Sequence, residues 1–271
     1  ADLDCIYLTY DEPQREEFWV KIRNMIPWAK RVDGVKGSDA AHKAAAAASD
    51  TERFILIDGD NMPDPKFFNL TMEFPDSDWE NAVFRWRARN HVNGLMYGNG
   101  GLKMWTRKFV NEMKTHENSD PEDKRGLVEF CFDDKYYQFN DNYSESVITG
   151  SPFQAWRAGF REGVKMSLDQ GAKSKDIKTV WWQNYQRMLV WCNIGTDVKN
   201  GIWSMIGARE GCYLTNCTDW DYANVRDFEY LTEHWKQNHE DKEPAAIKLI
   251  GPYRLLLTYE DGSEEEKEFL K

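Results

Sequence analysis

No run of apolar residues in this 271-residue chain reaches the length of a membrane span, and no charged-then-apolar leader opens it. A helical membrane protein is thereby excluded, and a cytoplasmic chain is expected. Cysteine is sparse. Cys5, Cys131, Cys192, Cys212 and Cys217 make an odd number without a CxxC pair, which excludes a zinc ribbon and favours reduced thiols. The sequons at Asn69, Asn142 and Asn216 carry no weight without a secretory leader. No internal repeat occurs, and no low-complexity tract beyond the run Ala44–Ala48, so solenoids and long disordered tracts are set aside. Net positive charge is absent: 46 acids against 35 lysines and arginines give a formal net charge of -11 and a pI of about 5.1, which counts against a general nucleic-acid binder. One further absence is local. Between Phe84 and Asn111 there is no acid, while Arg85, Arg87, Arg89, Lys103, Arg107 and Lys108 all fall there. From Cys217 to Lys271 acids outnumber bases fourteen to seven, so a basic face on an acidic protein stays open.

What the chain does have is core-forming material. Hydrophobic residues make up 41% and aromatics 14%, with 12 tryptophans, more than packing alone asks for. Leu3 to Thr9 reads as a buried strand ended by Tyr10-Asp11-Glu12-Pro13. Phe18, Trp19, Ile22, Met25 and Ile26 recur at helical spacing, with Pro27 as the exit. A short strand near Ala29 to Val35 leads to Lys36-Gly37, and Ser38 or Asp39 is expected to cap an alanine-rich helix ending near Ala48. Phe54 to Ile57 is the next buried strand and runs into Asp58-Gly59-Asp60. This alternation predicts a mostly parallel sheet whose ligands gather at the carboxyl ends of its strands.

Downstream, Ala82 to Arg89 alternates with period two, placing Phe84, Trp86 and Ala88 on one face and three arginines on the other. A glycine-rich loop, Tyr97 to Gly101, follows. Ser151-Pro152 opens a capped helix carrying Trp156, Arg157, Phe160, Arg161 and Lys165. Further helices are expected over Lys175 to Cys192, Asp197 to Glu210 and Asp219 to His239, then a hairpin turning at Asp261-Gly262. The expected partition is an α/β domain over residues 1–214 and a helical and β-hairpin extension over 215–271, packed on the same domain.

Asp58-Gly59-Asp60 carries the most chemistry. Two carboxylates one residue apart at a strand end can meet a single hard cation, and glycine between them allows a sharp turn. A divalent ion held so would offset charge on a departing diphosphate. The plain alternative is a polar turn. Residues Asp4 through Phe68 resemble the nucleotide-binding half of a GT-A glycosyltransferase, a Rossmann-like fold. That resemblance implies a donor site from Thr9, Tyr10, Asp11 and Glu12 in the first loop, Lys36, Gly37 and His42 ahead of the motif, Asp58 and Gly59, and metal ligation by Asp58 and Asp60. His42 stands where the family more often carries an arginine or asparagine, and a plain surface-helix histidine is the alternative. Gly100 and Gly101 resemble the family's NGG-type loop and imply bare backbone against a sugar.

ARNHVNGLMYGNGGLKMW, SPFQAWRAGFREGVKM and GAREG at Gly207 to Gly211 resemble GT-A glycosyltransferases encoded by tailed bacteriophages. That group includes enzymes that glycosylate hydroxymethylated bases in DNA. The resemblance implies a nucleotide-sugar donor (a UDP-sugar), Mn or Mg, a hydroxymethylated pyrimidine such as 5-hydroxymethylcytosine as acceptor, and the cytoplasm of an infected cell. Arg85, Arg87 and Arg89 sit at about 7 Å intervals, near the spacing of nucleic-acid phosphates. Arg157, Arg161 and Lys165 share one helix face and are candidates to extend the acceptor patch or bind diphosphate, and Trp181, Trp182 and Tyr185 are candidates for stacking; core packing is the plain alternative for members of each set. An inverting transfer needs a base, for which Asp133, Asp134, Glu145 and Glu162 are candidates, Glu145 preferred. His234 or His239 is available as a third metal ligand, with an ordinary surface-helix position as the alternative for both. Two competing readings keep part of this picture: a transferase with a protein, glycan or small-molecule acceptor, and a transfer-inactive nucleotide- or DNA-binding protein.

Overall fold

The computed structural model describes residues 3–73, 79–98, 100–113, 115, 135–174, 176–251 and 253–270. Packing divides them into two compact units, one from the described residues of 3–115 and 135–147, the other from those of 148–270. Asp133, Asp134 and Cys131 lie outside the described residues.

The first unit is a seven-stranded mixed sheet with helices on both faces, a GT-A-like, Rossmann-like α/β architecture. Its chain order is β1 (Asp4–Thr9), α1 (Arg15–Met25), β2 (Lys30–Asp33), α2 (Ser38–Ala48), β3 (Arg53–Asp58), β4 (Asn61–Pro63), β5 (Val83–Asn90), β6 (Leu102–Thr106), α3 (Arg107–Glu112) and β7 (Tyr136–Ser146). The strands lie in the order β2-β1-β3-β6-β5-β7-β4, with β1 parallel to β2 and β3, as expected from the alternating elements. β6 enters antiparallel to both β3 and β5. Neighbouring residues of β1 and β3 point to opposite faces. Tyr7, Ile55 and Ile57 pack with Phe18 and Ile22 of α1, whereas Ile6, Phe54 and Leu56 pack with Ala45 and Ala46 of α2 and Phe109 of α3. Burial on both sides explains why these strands are continuously apolar. One local expectation is corrected. α2 is preceded by Gly37 at φ 93°, with no side-chain cap, so Ser38 is the first helical residue and neither it nor Asp39 is the cap.

The second unit contains α4 (Pro152–Met166), a short hairpin of β8 (Leu168–Asp169) and β9 (Ala172–Lys173), α5 (Trp182–Asn193), α6 (Gly201–Cys217), α7 (Phe228–Asn238) and a three-stranded antiparallel sheet of β10 (Pro244–Leu249), β11 (Arg254–Tyr259) and β12 (Glu264–Glu268). α6 runs unbroken through residue 214, where the sequence reading set its partition; the packing division comes earlier, after Val147. Ser151 caps α4 by accepting from the Gln154 N–H, as expected. The next three helices are shorter or shifted. α5 begins only at Trp182 because a 3-10 turn capped by Asp176 precedes it. Asn200, left-handed at φ 58° and tied through Nδ2 to the Thr149 carbonyl, delays α6 to Gly201. Asp227 restarts the chain as α7 by accepting from the Tyr230 N–H.

α4 and α6 meet along a seam of glycines. Cβ atoms added at Gly159 and Gly163 would overlap carbonyls of Ser204 and Ala208, and ones at Gly207 and Gly211 those of Trp156 and Phe160. The same five-residue pattern, Gly-x-Arg-Glu-Gly, stands on both helices at 159–163 and 207–211. On α6 its arginine, Arg209, is fully buried. It donates to the carbonyls of Cys192 (2.7 Å), Tyr253 (3.2 Å) and Lys267 (3.4 Å) and to Asn193 Oδ1 (2.6 Å), and so binds α5 and the sheet to α6.

Candidate functional site

Asp58 ends β3, and the turn through Gly59 and Asp60 carries the chain into β4. Four contacts hold this turn. The buried Tyr7 hydroxyl donates to the Gly59 carbonyl at 2.8 Å. The Asp58 N–H donates to the Gly101 carbonyl (2.9 Å), and the Val147 N–H to the Asp60 carbonyl (2.7 Å). Asn61, 3% exposed, donates from Nδ2 to Asp60 Oδ1 at 2.6 Å while its own Oδ1 accepts from the Gly101 N–H and the Ser144 hydroxyl.

Carboxyl groups crowd this turn. The Glu12 carboxylate, anchored by the Tyr10 N–H at 2.8 Å, occupies the space a Cβ at Gly59 would take. Burial raises its pKa, opposed by the backbone N–H groups that bond it and reinforced by Asp11 and Asp58. The Asp60 carboxyl is pushed up to about 6, first by burial and then by Asp58, with the Asn61 bond pulling the other way. Against these three acids stands Lys103 of β6, only 5% exposed, whose ammonium lies 2.5 Å from Asp58 Oδ2. One ammonium cannot neutralise three carboxylates. Asp58 Oδ1 and Asp60 Oδ2 accept no hydrogen bond from the described residues. The arrangement therefore leaves two carboxylate oxygens and an excess of negative charge at the carboxyl end of β3, which fits a hard divalent cation.

His42 lies in the electrostatic reach of this cluster. It is 7% exposed on α2, donates from Nδ1 to the Ser38 carbonyl (2.7 Å), and meets Trp105 edge-on. Burial holds its pKa below the ordinary value, with Asp58 offsetting part of the effect, so the ring is neutral at pH 7. A surface-helix histidine is excluded.

Other residues expected at the site are placed differently. Thr9 faces β2, donating to Asp33 Oδ1 (2.5 Å) and accepting from Arg31 Nε (3.0 Å), which locks the strand ends together. Tyr10, Asp11, Lys36 and Gly37 are exposed. Gly100 and Gly101 are glycines for reasons internal to the protein. A Cβ at Gly100 would overlap the Trp86 carbonyl and one at Gly101 the Asn61 amide. Their bare backbone is met by protein, which corrects the reason given for it above.

Glu145 lies on β7, opposite Met62 of β4 and Arg89 of β5, so it is one strand removed from the acidic turn. Its carboxylate is half-exposed, 3.3 Å from His91 Nδ1. Of the arginine row, Arg85 is half-buried with its guanidinium 4.5 Å from the Tyr136 ring centre, Arg87 is half-buried, and Arg89 is exposed. Arg157 packs over Phe153 and Phe228, Arg161 is exposed and Glu162 half-buried, all on α4 of the second unit.

Sequence reading missed Lys103, Asn61 and Tyr7. Lys103 had a signal, a lone cation inside the apolar Leu102–Thr106 segment, but it was counted with the basic run. It also missed Glu210 of α6. This side chain accepts from His234 Nε2 (2.6 Å), His239 Nε2 (2.8 Å) and Trp156 Nε1 (2.9 Å). Neither histidine is an ordinary surface residue. Among the described residues, Glu210, His234 and His239 form the one group of three such side chains whose ligand atoms all lie within 4.8 Å of each other.

No family model matches the chain, and no curated protein matches it. Solved structures similar to it include a glycosyltransferase involved in the glycosylation of the major capsid of PBCV-1, with 13% identity, 53% of this chain and 92% of that chain covered, and a TM-score of 0.31. The inositol-1-phosphate CTP transferase from T. maritima has 13% identity, covers 56% and 72%, and has a TM-score of 0.33. HddC from Yersinia pseudotuberculosis has 14% identity, covers 57% and 76%, and has a TM-score of 0.31. At these scores, function is read from the chain's own residues. No helix among the described residues is long and apolar enough to cross a membrane.

Proposed function

We propose that the protein is a metal-dependent glycosyltransferase whose first unit binds a nucleotide diphosphate sugar at the turn of Asp58, Gly59 and Asp60. The observation that carries this reading is the crowding of Glu12, Asp58 and Asp60 against the single Lys103 ammonium, with Asp58 Oδ1 and Asp60 Oδ2 bonded to no described residue. Asp58 Oδ1 and Asp60 Oδ2 would hold the cation, Mn or Mg. When bound, it supplies positive charge to the leaving diphosphate. Lys103 orients Asp58 and adds fixed charge, while Asn61 and Tyr7 hold Asp60 and the Gly59 carbonyl in place. Tyr10, Asp11, Glu12, Lys36 and Gly37 are the groups proposed to meet the donor, while the buried Thr9, His42, Gly100 and Gly101 support the backbone behind it. Glu145 is the group proposed to take the acceptor hydroxyl proton; His91 Nδ1 lies 3.3 Å from its carboxylate.

The proposed acceptor is a hydroxymethylated pyrimidine in DNA, supported by the acid-free stretch 84–111 and the exposed Arg89. The packing of Arg85 on Tyr136 favours the second reading, in which the acceptor is a glycan, protein or small molecule. The test is mass measurement of hydroxymethylcytosine DNA after incubation with a panel of nucleotide sugars and manganese. A hexose or pentose mass increment, lost in EDTA and in Asp60→Ala, is expected. Donor turnover without a DNA increment would move the acceptor to the second reading. Absence of donor turnover across the panel would refute transferase activity.

A further inference from the structure

The second unit holds a carboxylate gripped by two imidazoles, and nothing in the proposed transfer uses it. Glu210 comes from the middle of α6, in the glycine-rich stretch where that helix touches α4. His234 lies on α7 and His239 one residue past its end, so a separate segment brings both rings to Glu210. Each ring uses Nε2, and each addresses a different oxygen, His234 the Oε1 and His239 the Oε2. The surroundings fix all three. Trp156 donates to Oε2, its ring stacks on His234 (5.6 Å, 11°), and Trp156, Trp203 and Trp235 each lie within 5.6 Å of the His239 ring. His239 is 2% exposed.

An ionised carboxylate in an aromatic pocket is costly unless positive charge meets it. Two imidazoles and one carboxylate are also the ligand set of open zinc sites, with water in the fourth position. Tetrahedral ligands with bonds of about 2.0–2.1 Å stand about 3.3 Å apart. The present separations of 2.6 and 2.8 Å, each to its own carboxylate oxygen, would open by about 0.5–0.7 Å to reach that spacing, and the three ligand atoms already lie within 4.8 Å of one another. The Trp156 N–H then supplies the outer hydrogen bond that orients a ligating carboxylate. Nitrogen donors favour zinc over the magnesium or manganese that suits an all-carboxylate turn.

We infer that Glu210, His234 and His239 form a zinc site that pins α7 to α6, separate from the cation site proposed at Asp58 and Asp60.

The test uses the full chain, stripped with chelator and titrated with zinc chloride at pH 7.5. One zinc per chain is expected by elemental analysis, with a change in tryptophan fluorescence, because Trp156 hydrogen-bonds a ligand. Cobalt(II) in its place should give the visible absorption of a four-coordinate site. His234→Ala, at the more exposed ligand, should weaken zinc at least a hundredfold. Trp156→Phe should keep the site and weaken it roughly tenfold to a hundredfold. Asp60→Asn should leave zinc binding unchanged, so this result stands whether or not the transferase reading does. Absence of stoichiometric zinc and of a cobalt spectrum would overturn the inference. So would a zinc ion lost in Asp60→Asn but retained in His234→Ala.

Discussion

Replacing Asp60 with asparagine should make the first unit more stable at neutral pH while abolishing transfer. The acidic turn is the reason. Asp60 titrates at about 6 in the folded chain against 3.8 for the free side chain, so the folded state holds its proton more tightly than the unfolded one. Below pH 3.8 both states are protonated and the group contributes nothing. As pH rises to about 6 the ionised carboxylate becomes a cost to folding, and above that the cost is complete. The upward shift corresponds to roughly 3 kcal/mol. Asp60 keeps part of its surface in water, so about 1–2 kcal/mol is the expected measured value after solvent screening. Asparagine removes the charge and retains an oxygen for the Asn61 Nδ2 bond, so the turn keeps its shape. The assay is amide exchange at Phe54–Ile57 in β3, which reports the first unit alone, for both proteins at pH 7.5 and pH 4.5 without divalent cations. The variant should be the more stable at pH 7.5, and most of the gain should vanish at pH 4.5. Equal or lower stability of the variant at pH 7.5, or a gain independent of pH, would refute the argument that burial, reinforced by Asp58, makes ionised Asp60 a cost at this turn.

Gly101→Ala would press a methyl group into the Asn61 amide and release Asp60; donor turnover should fall at least tenfold, with a stability loss of about 1–3 kcal/mol measured by urea unfolding. At the α4–α6 seam, Gly207→Ala meets the Trp156 carbonyl, and calorimetry of the second unit should show a loss of about 2–3 kcal/mol. Arg209→Met removes the donor from four acceptor oxygens, of which the Cys192 carbonyl is buried, and a loss of about 3–5 kcal/mol is expected by denaturant titration. Lysine at 209 should not rescue it, because one ammonium cannot span the fork of acceptors. If DNA is the acceptor, Arg89→Ala should flatten the log–log salt dependence of binding by about one, whereas Arg85→Ala, stacked on Tyr136, should change it little.

The sheet of the first unit was legible in the sequence wherever neighbouring residues decide structure. Continuous apolar runs at residues 4–9 and 53–58, helical spacing between them, and alternation at 83–90 specify β1, β3 and β5, because burial on one or both faces imposes those periods. The acidic turn was visible for the same reason: a polar triplet ending a buried strand lies at the sheet's carboxyl edge. β4, β6, β7, β8, β9 and β10 were not predicted. β6 is buried at all five positions and so has no alternation to read. Helix ends were misplaced where one residue's side chain or φ decided, at Asp176, Asn200 and Asp227. The partners of charged groups lie beyond any local pattern. Lys103 reaches Asp58 across 45 positions, and Glu210 meets His234 and His239 across 24 and 29. Residue type and spacing said which groups can carry charge; only the packing of strand on strand and helix on helix set which carboxylates meet an ammonium, an imidazole or none, because desolvation and pairing act through space rather than along the chain.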